Sequence, residues 1–191
     1  MERLHKEYPE DVVIAFRNFP LGFHDQAVPA AKAAFAAHQQ GKFWEYHNKL
    51  FEKVDSLSAS VFDAVAKELA LDMTKFQQDR TSKRAEERIA EDKFIAQHLE
   101  VNGTPGYLIN GRLFFGALPY ETIKESVDIQ IQAVTEEMRT SKEPVHQARF
   151  VITESNFIRS TEGLSYVPVG DAPSIGSEDA LVTLAVFSDF Q

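Results

Sequence analysis

The chain contains no cysteine, so none of its 191 residues carries a thiol. Disulfide bonds, thiolate nucleophiles and cysteine-based zinc or iron–sulfur sites are therefore excluded for this sequence. No histidine motif such as HExxH takes their place, because His38, His47 and His98 do not have the spacing of metal ligands. We expect neither a metal ion nor another cofactor.

Positive charge is also scarce. Lysine and arginine together number 20 against 29 aspartate and glutamate residues, which gives a net charge of −9. Nucleic acids select basic surfaces, so we expect no nucleic-acid partner and no binding to anionic membranes. No apolar run approaches the length of a membrane span. The first residues, Met1 to Glu7, are charged and contain no hydrophobic signal-peptide segment, so we expect no export signal in the chain as given.

Apolar residues are plentiful, at 43% of the chain, and they are patterned. Two apolar runs have the length of strands buried on both faces, as in a sheet covered by helices: Val12–Phe16, which is unbroken, and Ala180–Phe187, in which Thr183 is the one polar residue. Residues 26–100 have helical character instead. A further amphipathic helix is predicted by apolar residues at spacings of three and four: Ile123, Val127, Ile131, Val134 and Met138.

Within the helical stretch, Asp72 and either Ser58 or Ser60 are candidate N-caps. The helix predicted over Ser82 to Leu99 has one apolar stripe with its charges elsewhere. We expect the acidic side chains of these helices to be solvated, because no pair of carboxylates stands out.

The stretch from Val101 to Gly111 predicts a tight loop that enters a short strand and leaves it by a turn. Gly103 permits a positive φ. Pro105 lacks an N–H and must stand where a strand begins or where no ladder bond is needed. Asn110-Gly111 is a strong hairpin signal, and Arg112–Gly116 follows as the paired strand.

These pieces together resemble the DsbA-like branch of the thioredoxin superfamily. The segment Phe16–Leu21 with His24 resembles the family's second strand and the start of its helical insertion. Gly41–His47 resembles its next helix, and Val101–Gly111 resembles its cis-proline loop. Gly170–Gln191 resembles the family's first core strand, which leads into the redox motif.

The resemblance implies an α/β, thioredoxin-like fold with permuted strand order, since the family's first core strand stands at the C-terminus. Residues 1–140 would form the DsbA-like body, with its helical insertion at about 26–100. Residues 141–165 would be a linker with one short strand at Phe150–Ile152, and 166–191 the strand segment equivalent to the start of a DsbA-like domain. We expect residues 180–187 to lie beside Val12–Phe16 and parallel to it.

The same resemblance places the missing Cys-x-x-Cys motif just after Gln191 and the first turns of its helix before Met1. Three explanations stay open at this point. The chain is a circular permutant, or a repeat-length slice of a tandem-domain protein, or a product truncated at a selenocysteine codon that was read as a stop.

The resemblance also implies which residues form the site. Gly103, Thr104 and Pro105 are the candidate substrate-binding residues, because in the family the residue before the cis-proline offers its backbone to the substrate. No catalytic nucleophile is present. His24 and Phe190 are candidate accessory residues; for His24, tuning of a nearby thiolate and a capping or surface role both stay open.

The function implied is that of a thiol–disulfide oxidoreductase relative that is inactive as given, with thiol- or disulfide-containing proteins or peptides as partners. A non-catalytic peptide-binding or chaperone-like thioredoxin module is the alternative. A pairing module held by a swapped strand is a third, so a domain-swapped homo-oligomer is a further expectation. Family habit suggests a periplasmic or extracytoplasmic location.

Overall fold

The computed structural model describes residues 1–140, 150–152, 158–160, 165–167 and 169–190. The helices in this part of the chain are α1 (Glu2–Glu7), α2 (Ala27–His38), α3 (Phe43–Phe51), α4 (Ala59–Glu68), α5 (Met73–Arg80), α6 (Lys83–His98) and α7 (Tyr120–Thr140), with a short 3₁₀ helix at Val54–Ser56. The strands are β1 (Val12–Asn18), β2 (Gly106–Ile109), β3 (Arg112–Phe115), β4 (Phe150–Ile152), β5 (Ile158–Ser160), β6 (Ser165–Tyr166), β7 (Ser174–Ile175) and β8 (Val182–Ser188).

The chain forms two compact units. The first, which we call the sheet unit, comprises residues 1–17 and 99–187. The second, the helical unit, comprises residues 18–98 and 188–191.

The sheet unit is built on five strands in the order β3-β2-β8-β1-β7, so the strand nearest the C-terminus is the central one. β8 runs antiparallel to β2, with Gly106 opposite Phe187. It runs parallel to β1, because Val182 N donates to Asp11 O (2.9 Å) where both strands begin. Where both end, Phe19 N donates to Ser188 O (2.8 Å). The predicted parallel pairing of the two apolar runs is therefore confirmed.

The apolar character of these two runs reflects burial on both faces, as predicted. Every residue of β1 is buried, and in β8 all but the final Ser188 are buried. The outer edge of β1 is covered by β7, a strand of two residues that the sequence did not reveal. Gly176, just after β7, packs so tightly that a Cβ there would lie 2.2 Å from Val12 O.

The β2–β3 hairpin follows its predicted turn. Leu108 pairs with Leu113 and Ile109 with Arg112, which leaves Asn110 and Gly111 as the two turn residues. Both adopt positive φ, 42° and 87°, as type I′ hairpin turns require.

The helical unit contains α2 to α6. Ser58 and Asp72 are the N-caps of α4 and α5: their side chains accept hydrogen bonds from Val61 N (3.4 Å) and Lys75 N (3.0 Å). The core of this unit includes Tyr46, whose hydroxyl donates to Phe62 O at 3.0 Å. Burial raises the pKa of the Tyr46 phenol, so this group stays protonated and remains a donor.

The apolar stripe predicted for α7 is present but shorter than expected. Ile123, Val127 and Val134 are buried, whereas Met138 is 55% exposed. The predicted helix thus reaches past Met138, and the buried part of its apolar stripe ends before the last turn.

The segment predicted as a linker, residues 141–165, is described only in part. Residues 141–149, 153–157 and 161–164 lie outside the described residues. The predicted strand at Phe150–Ile152 is present as β4. It pairs antiparallel with β5, and β5 pairs antiparallel with β6, which gives a second sheet of three strands.

Candidate functional site

The predicted substrate-binding loop lies in the sheet unit, directly before β2. Gly103, Thr104 and Pro105 are partly exposed, and the Thr104–Pro105 peptide bond is cis. Pro105 stands immediately before the first strand residue, where its lack of an N–H costs no ladder bond. Its carbonyl accepts from Gly116 N at 2.9 Å, which ties the loop to the far end of β3.

The glycine that matters for packing here is Gly106 rather than Gly103. Gly103 does not adopt a positive φ, and a Cβ added to it would meet nothing within 4 Å. A Cβ on Gly106 would lie 3.0 Å from Val101 Cγ1 and 3.7 Å from Phe187 Cβ. Gly106 therefore makes room for the Val101 side chain, whereas its distance to Phe187 on β8 is an ordinary van der Waals contact. Its position directly after Pro105, as the first residue of β2, was the sequence signal for this.

The predicted accessory residues lie in the helical unit. His24 Nδ1 is 2.7 Å from Asp189 Oδ2, and the same carboxylate oxygen accepts from Leu21 N at 3.2 Å. The Asp189 side chain is only 2% exposed, while that of His24 is 25% exposed. His24 is therefore held in one orientation by a buried carboxylate that the sequence analysis did not single out.

Phe190, the residue after Asp189, is fully buried among aromatic rings. Its ring centroid lies 5.7 Å from that of His47 and 5.5 Å from that of Phe51, both on α3. His47 and Phe51 themselves are 4.7 Å apart, so the three rings form one cluster. Asp189 thus connects the two predicted accessory residues within the helical unit. Its carboxylate contacts His24, and Phe190 is the next residue in the chain.

A second buried carboxylate corrects the expectation that acidic side chains on the helices are solvated. Asp92 on α6 has no exposed surface. Its Oδ2 accepts from Asn18 N (2.9 Å) and from Asn18 Nδ2 (2.8 Å), and its Oδ1 lies 3.1 Å from Arg88 Nη2. The spacing of four residues between Arg88 and Asp92 was a usable signal, because it places both on one helix face.

Asp92 and Asp189 together fix both ends of the loop from Asn18 to His24. One carboxylate holds the backbone where β1 ends, and the other holds Leu21 and His24. Over the part of the chain that the structure describes, no group of three or more histidine, aspartate or glutamate side chains is arranged to hold a metal ion. The contacts of His24 are the hydrogen bond to Asp189 and an edge-on ring contact with Phe23, whose centroid is 4.5 Å away.

Comparison with known proteins identifies a family and two curated relatives. The sequence model of the family described as "DSBA-like thioredoxin domain" matches residues 1–128. A Na(+)/H(+) antiporter NhaA 3 of Salinispora tropica is 33% identical over 134 residues, which cover 70% of this chain and 21% of that protein. A Na(+)/H(+) antiporter NhaA 1 of Salinispora arenicola is 34% identical over 130 residues, 68% of this chain and 20% of that protein.

Among solved structures, a thioredoxin-like oxidoreductase from Silicibacter pomeroyi DSS-3 is similar, with a TM-score of 0.51 and 23% identity. The match covers 63% of this chain and 87% of that one. The chain spans about a fifth of the length of the curated relatives it matches.

The expected periplasmic or extracytoplasmic location was wrong. It rested on family habit, whereas the curated relatives named above are Na(+)/H(+) antiporters, so that habit assigns no location to this chain. Of the described helices, none has the length and apolar character needed to cross a membrane.

Proposed function

The chain belongs to the DSBA-like thioredoxin domain family, and we propose that it is the substrate-holding body of such a domain, without redox activity of its own. Its mixed α/β fold is thioredoxin-like, in agreement with the family match and the structural neighbour. The observation that carries the proposal is the absence of cysteine from a chain whose sheet and proline loop are intact. Membership of the family suggests thiol-containing substrates.

Thiol–disulfide exchange needs a thiolate that attacks a disulfide sulfur and forms a mixed disulfide. A chain without a thiol can neither give nor take the two electrons of that reaction. The His24–Asp189 pair does not replace the thiol, because an imidazole and a carboxylate move protons but form no bond to sulfur. The loop at Gly103, Thr104 and Pro105 retains the other half of the task, which is to hold an extended chain.

The first experiment tests redox activity. We expect the purified chain to accelerate neither the reduction of insulin by dithiothreitol nor the reactivation of scrambled ribonuclease A in a glutathione buffer. The Silicibacter pomeroyi oxidoreductase, assayed at the same concentration, is the positive control. Turnover above the buffer rate by the cysteine-free chain would contradict the proposal.

The second experiment tests binding at the loop. The Thr104→Arg variant places a long charged side chain beside Pro105 and should weaken binding of an extended cysteine-containing peptide by roughly tenfold, or about 1.4 kcal/mol. Thr122→Arg, at an exposed position of α7 in the same unit, is the matched control and should bind like the wild type. Calorimetry measures both affinities. If the two variants bound the peptide with equal affinity, the loop would not be its binding site.

The alternative function is a non-catalytic peptide-binding or chaperone-like module. It is favoured by the relatives, since the matched region forms about a fifth of proteins named as Na(+)/H(+) antiporters and not as redox enzymes. Two peptides that differ only by cysteine or serine at the same positions separate the two functions. A domain adapted to thiol substrates binds the cysteine peptide more tightly, whereas a general peptide-binding module does not distinguish them.

Permuted strand order is part of the proposal. The family match ends at residue 128, yet the central strand of the sheet is β8, at Val182–Ser188. A core strand contributed from outside the matched region is what permutation predicts. A rearranged chain tests this, as described in the Discussion.

A further inference from the structure

We propose that Asn102 is a site of spontaneous deamidation in the folded protein, and that Asn110, which has the same chemistry, is protected by its contacts at the start of β8. Of the asparagines in the chain, only these two precede a glycine. Both lie in the sheet unit, one before β2 and one after it. The inference is independent of the proposed function, because it concerns the chemistry of the loop itself and not what the loop binds.

The reaction joins the side chain of an asparagine to the backbone that follows it. The backbone nitrogen of Gly103 attacks Cγ of Asn102, so that a C–N bond forms and closes a succinimide ring. The Cγ–Nδ2 bond breaks, and the amide nitrogen leaves as ammonia with the proton that Gly103 N has lost. Water then opens the ring at either of its carbonyls, which gives aspartate or isoaspartate. Water is thus the only reactant that the protein does not itself supply.

The surroundings of Asn102 leave this attack open. Glycine favours it, because no Cβ shields the nitrogen of the following residue. At Gly103 there is also space, since an added Cβ would meet nothing beyond its chain neighbours within 4 Å. Asn102 is exposed, and among the described residues none forms a hydrogen bond with its side chain. Its amide carbon can therefore turn toward Gly103 N, and water can reach the ring that forms.

Asn110 is also followed by a glycine, but both polar atoms of its amide are bound to the backbone at the start of β8. Its Nδ2 donates to Leu181 O at 3.1 Å, and its Oδ1 accepts from Thr183 N at 2.8 Å. Its backbone N donates to Thr183 O at 3.0 Å, which holds the residue to the same strand. Attack by Gly111 N requires the side chain to break both amide bonds. The reaction at Asn110 is therefore slow until the end of β2 and the start of β8 separate.

Deamidation has different consequences at the two positions. At Asn102 it adds a negative charge to the loop before β2, and it leaves the ladder bonds of β2 in place because Asn102 lies outside the strand. At Asn110 it removes the Nδ2 donor and sets a carboxylate against the carbonyl of Leu181, which then has lost its hydrogen bond. The protection of Asn110 thus preserves a contact of the sheet, whereas the loop at Asn102 can change its charge without unfolding.

Incubation of the wild-type chain followed by peptide mapping tests the inference. Trypsin releases Phe94 to Arg112 as one peptide that contains both asparagines, so their recoveries are matched. The protein is kept at mildly alkaline pH, either folded in buffer or unfolded in urea, and fragment-ion masses then locate each conversion of amide to acid. In the folded chain we expect Asn102 to convert roughly tenfold faster than Asn110 or more, because Asn110 must first break two hydrogen bonds. In urea the two rates should be similar.

Two controls accompany the measurement. A sample that is digested without incubation gives the conversion during digestion, which is subtracted. Gly103→Ala places a Cβ beside the attacking nitrogen and should slow conversion at Asn102 severalfold. Circular dichroism should show its fold unchanged, because the space is open and φ at Gly103 is not positive.

Three results would overturn the inference. The first is a ratio of the rates at Asn102 and Asn110 that is no larger in the folded chain than in urea. The second is conversion at Asn102 that occurs only in urea, and the third is a folded Gly103→Ala variant that converts as fast as the wild type. All three are read from masses, so they stand apart from any result on peptide binding.

Discussion

At the scale of the residue, Asp92 is a carboxylate with three hydrogen-bonding or ionic contacts and no exposed surface. Asp92→Ala should lower the free energy of unfolding by roughly 3–5 kcal/mol, because it leaves the Arg88 charge buried and the Asn18 N–H without this acceptor. Urea denaturation followed by circular dichroism measures the loss.

The control for that substitution lies on the same helix. Glu86→Ala removes the exposed ion pair with Lys32, whose two charged atoms are 2.7 Å apart. Exposed pairs contribute little, so we expect a loss below about 1 kcal/mol. Similar losses of unfolding free energy in the two variants would show that burial does not explain the contribution of Asp92 to stability.

Single residues also mark the limit of what the sequence predicted. The Ser58 and Asp72 caps and the Asn110 turn were predictable, because each depends on bonds within a few residues. For Asp92 only the pairing with Arg88, four residues away, was predictable, because the partners Asn18 of Asp92 and His24 of Asp189 lie far away along the chain.

At the scale of the element, α1 and α7 are joined by a charged cluster on the sheet unit. Glu7 binds Lys124 Nζ through one carboxylate oxygen (2.5 Å) and accepts from the Tyr120 hydroxyl through the other (2.5 Å). Burial, and then the hydrogen bond to Glu7, raise the pKa of Tyr120 to about 12. The hydrogen bond to Glu7 also raises the pKa of Lys124.

This cluster predicts a loss of stability in alkali. A raised pKa in the folded state means that the contribution of Tyr120 is complete below its unfolded value near 10 and disappears as pH rises through about 12. The raised pKa of Lys124 acts in the same direction. The stability difference between the wild type and Tyr120→Phe should therefore be largest below pH 10 and shrink toward pH 12.

Denaturant titrations of both proteins at several alkaline pH values measure that difference. Other tyrosines also have raised pKa values, so the wild type alone would not isolate the effect of Tyr120. A constant gap between the wild type and Tyr120→Phe across this range would contradict the assignment.

Elements were predicted well where one pattern runs over many residues. Both apolar runs became buried strands, and α7 followed its spacing of three and four as far as Val134. Short elements were missed: β7 has two residues, too few for any periodicity, and it exists because the edge of β1 offers it a partner. β5 and β6 are likewise defined by pairing and not by composition.

At the scale of the whole molecule, the order of the strands can be rearranged without altering the fold, if the chain is a permuted thioredoxin-like domain. A variant that moves residues 167–190 ahead of Met1, joined by a flexible glycine–serine linker, leaves β6 whole and should keep the far-ultraviolet circular dichroism spectrum and cooperative thermal unfolding of the parent. Its contacts would be the same, and only the connection would differ. Failure of this rearranged variant to unfold cooperatively would argue against permuted order.

The class of fold was predictable because several distant segments each resembled the same family. One such resemblance can arise by chance, but several to the same family rarely do. The division into two units was harder to predict from the sequence. Residues 188–191 belong to the helical unit although they follow directly on a strand of the sheet unit, and no local pattern announces that change.

The close packing of Gly176 against Val12 affects the tendency of the protein to aggregate at high concentration. It lets β7 and Pro173 lie flat along the outer edge of β1, where Ile14, Ala15 and the N–H of Phe16 are paired. An uncovered edge on so apolar a strand is a template for intermolecular β-pairing and aggregation. The missing side chain at Gly176 thus keeps the edge of this apolar strand covered, and we expect any substitution of Gly176 to make the chain more prone to aggregate.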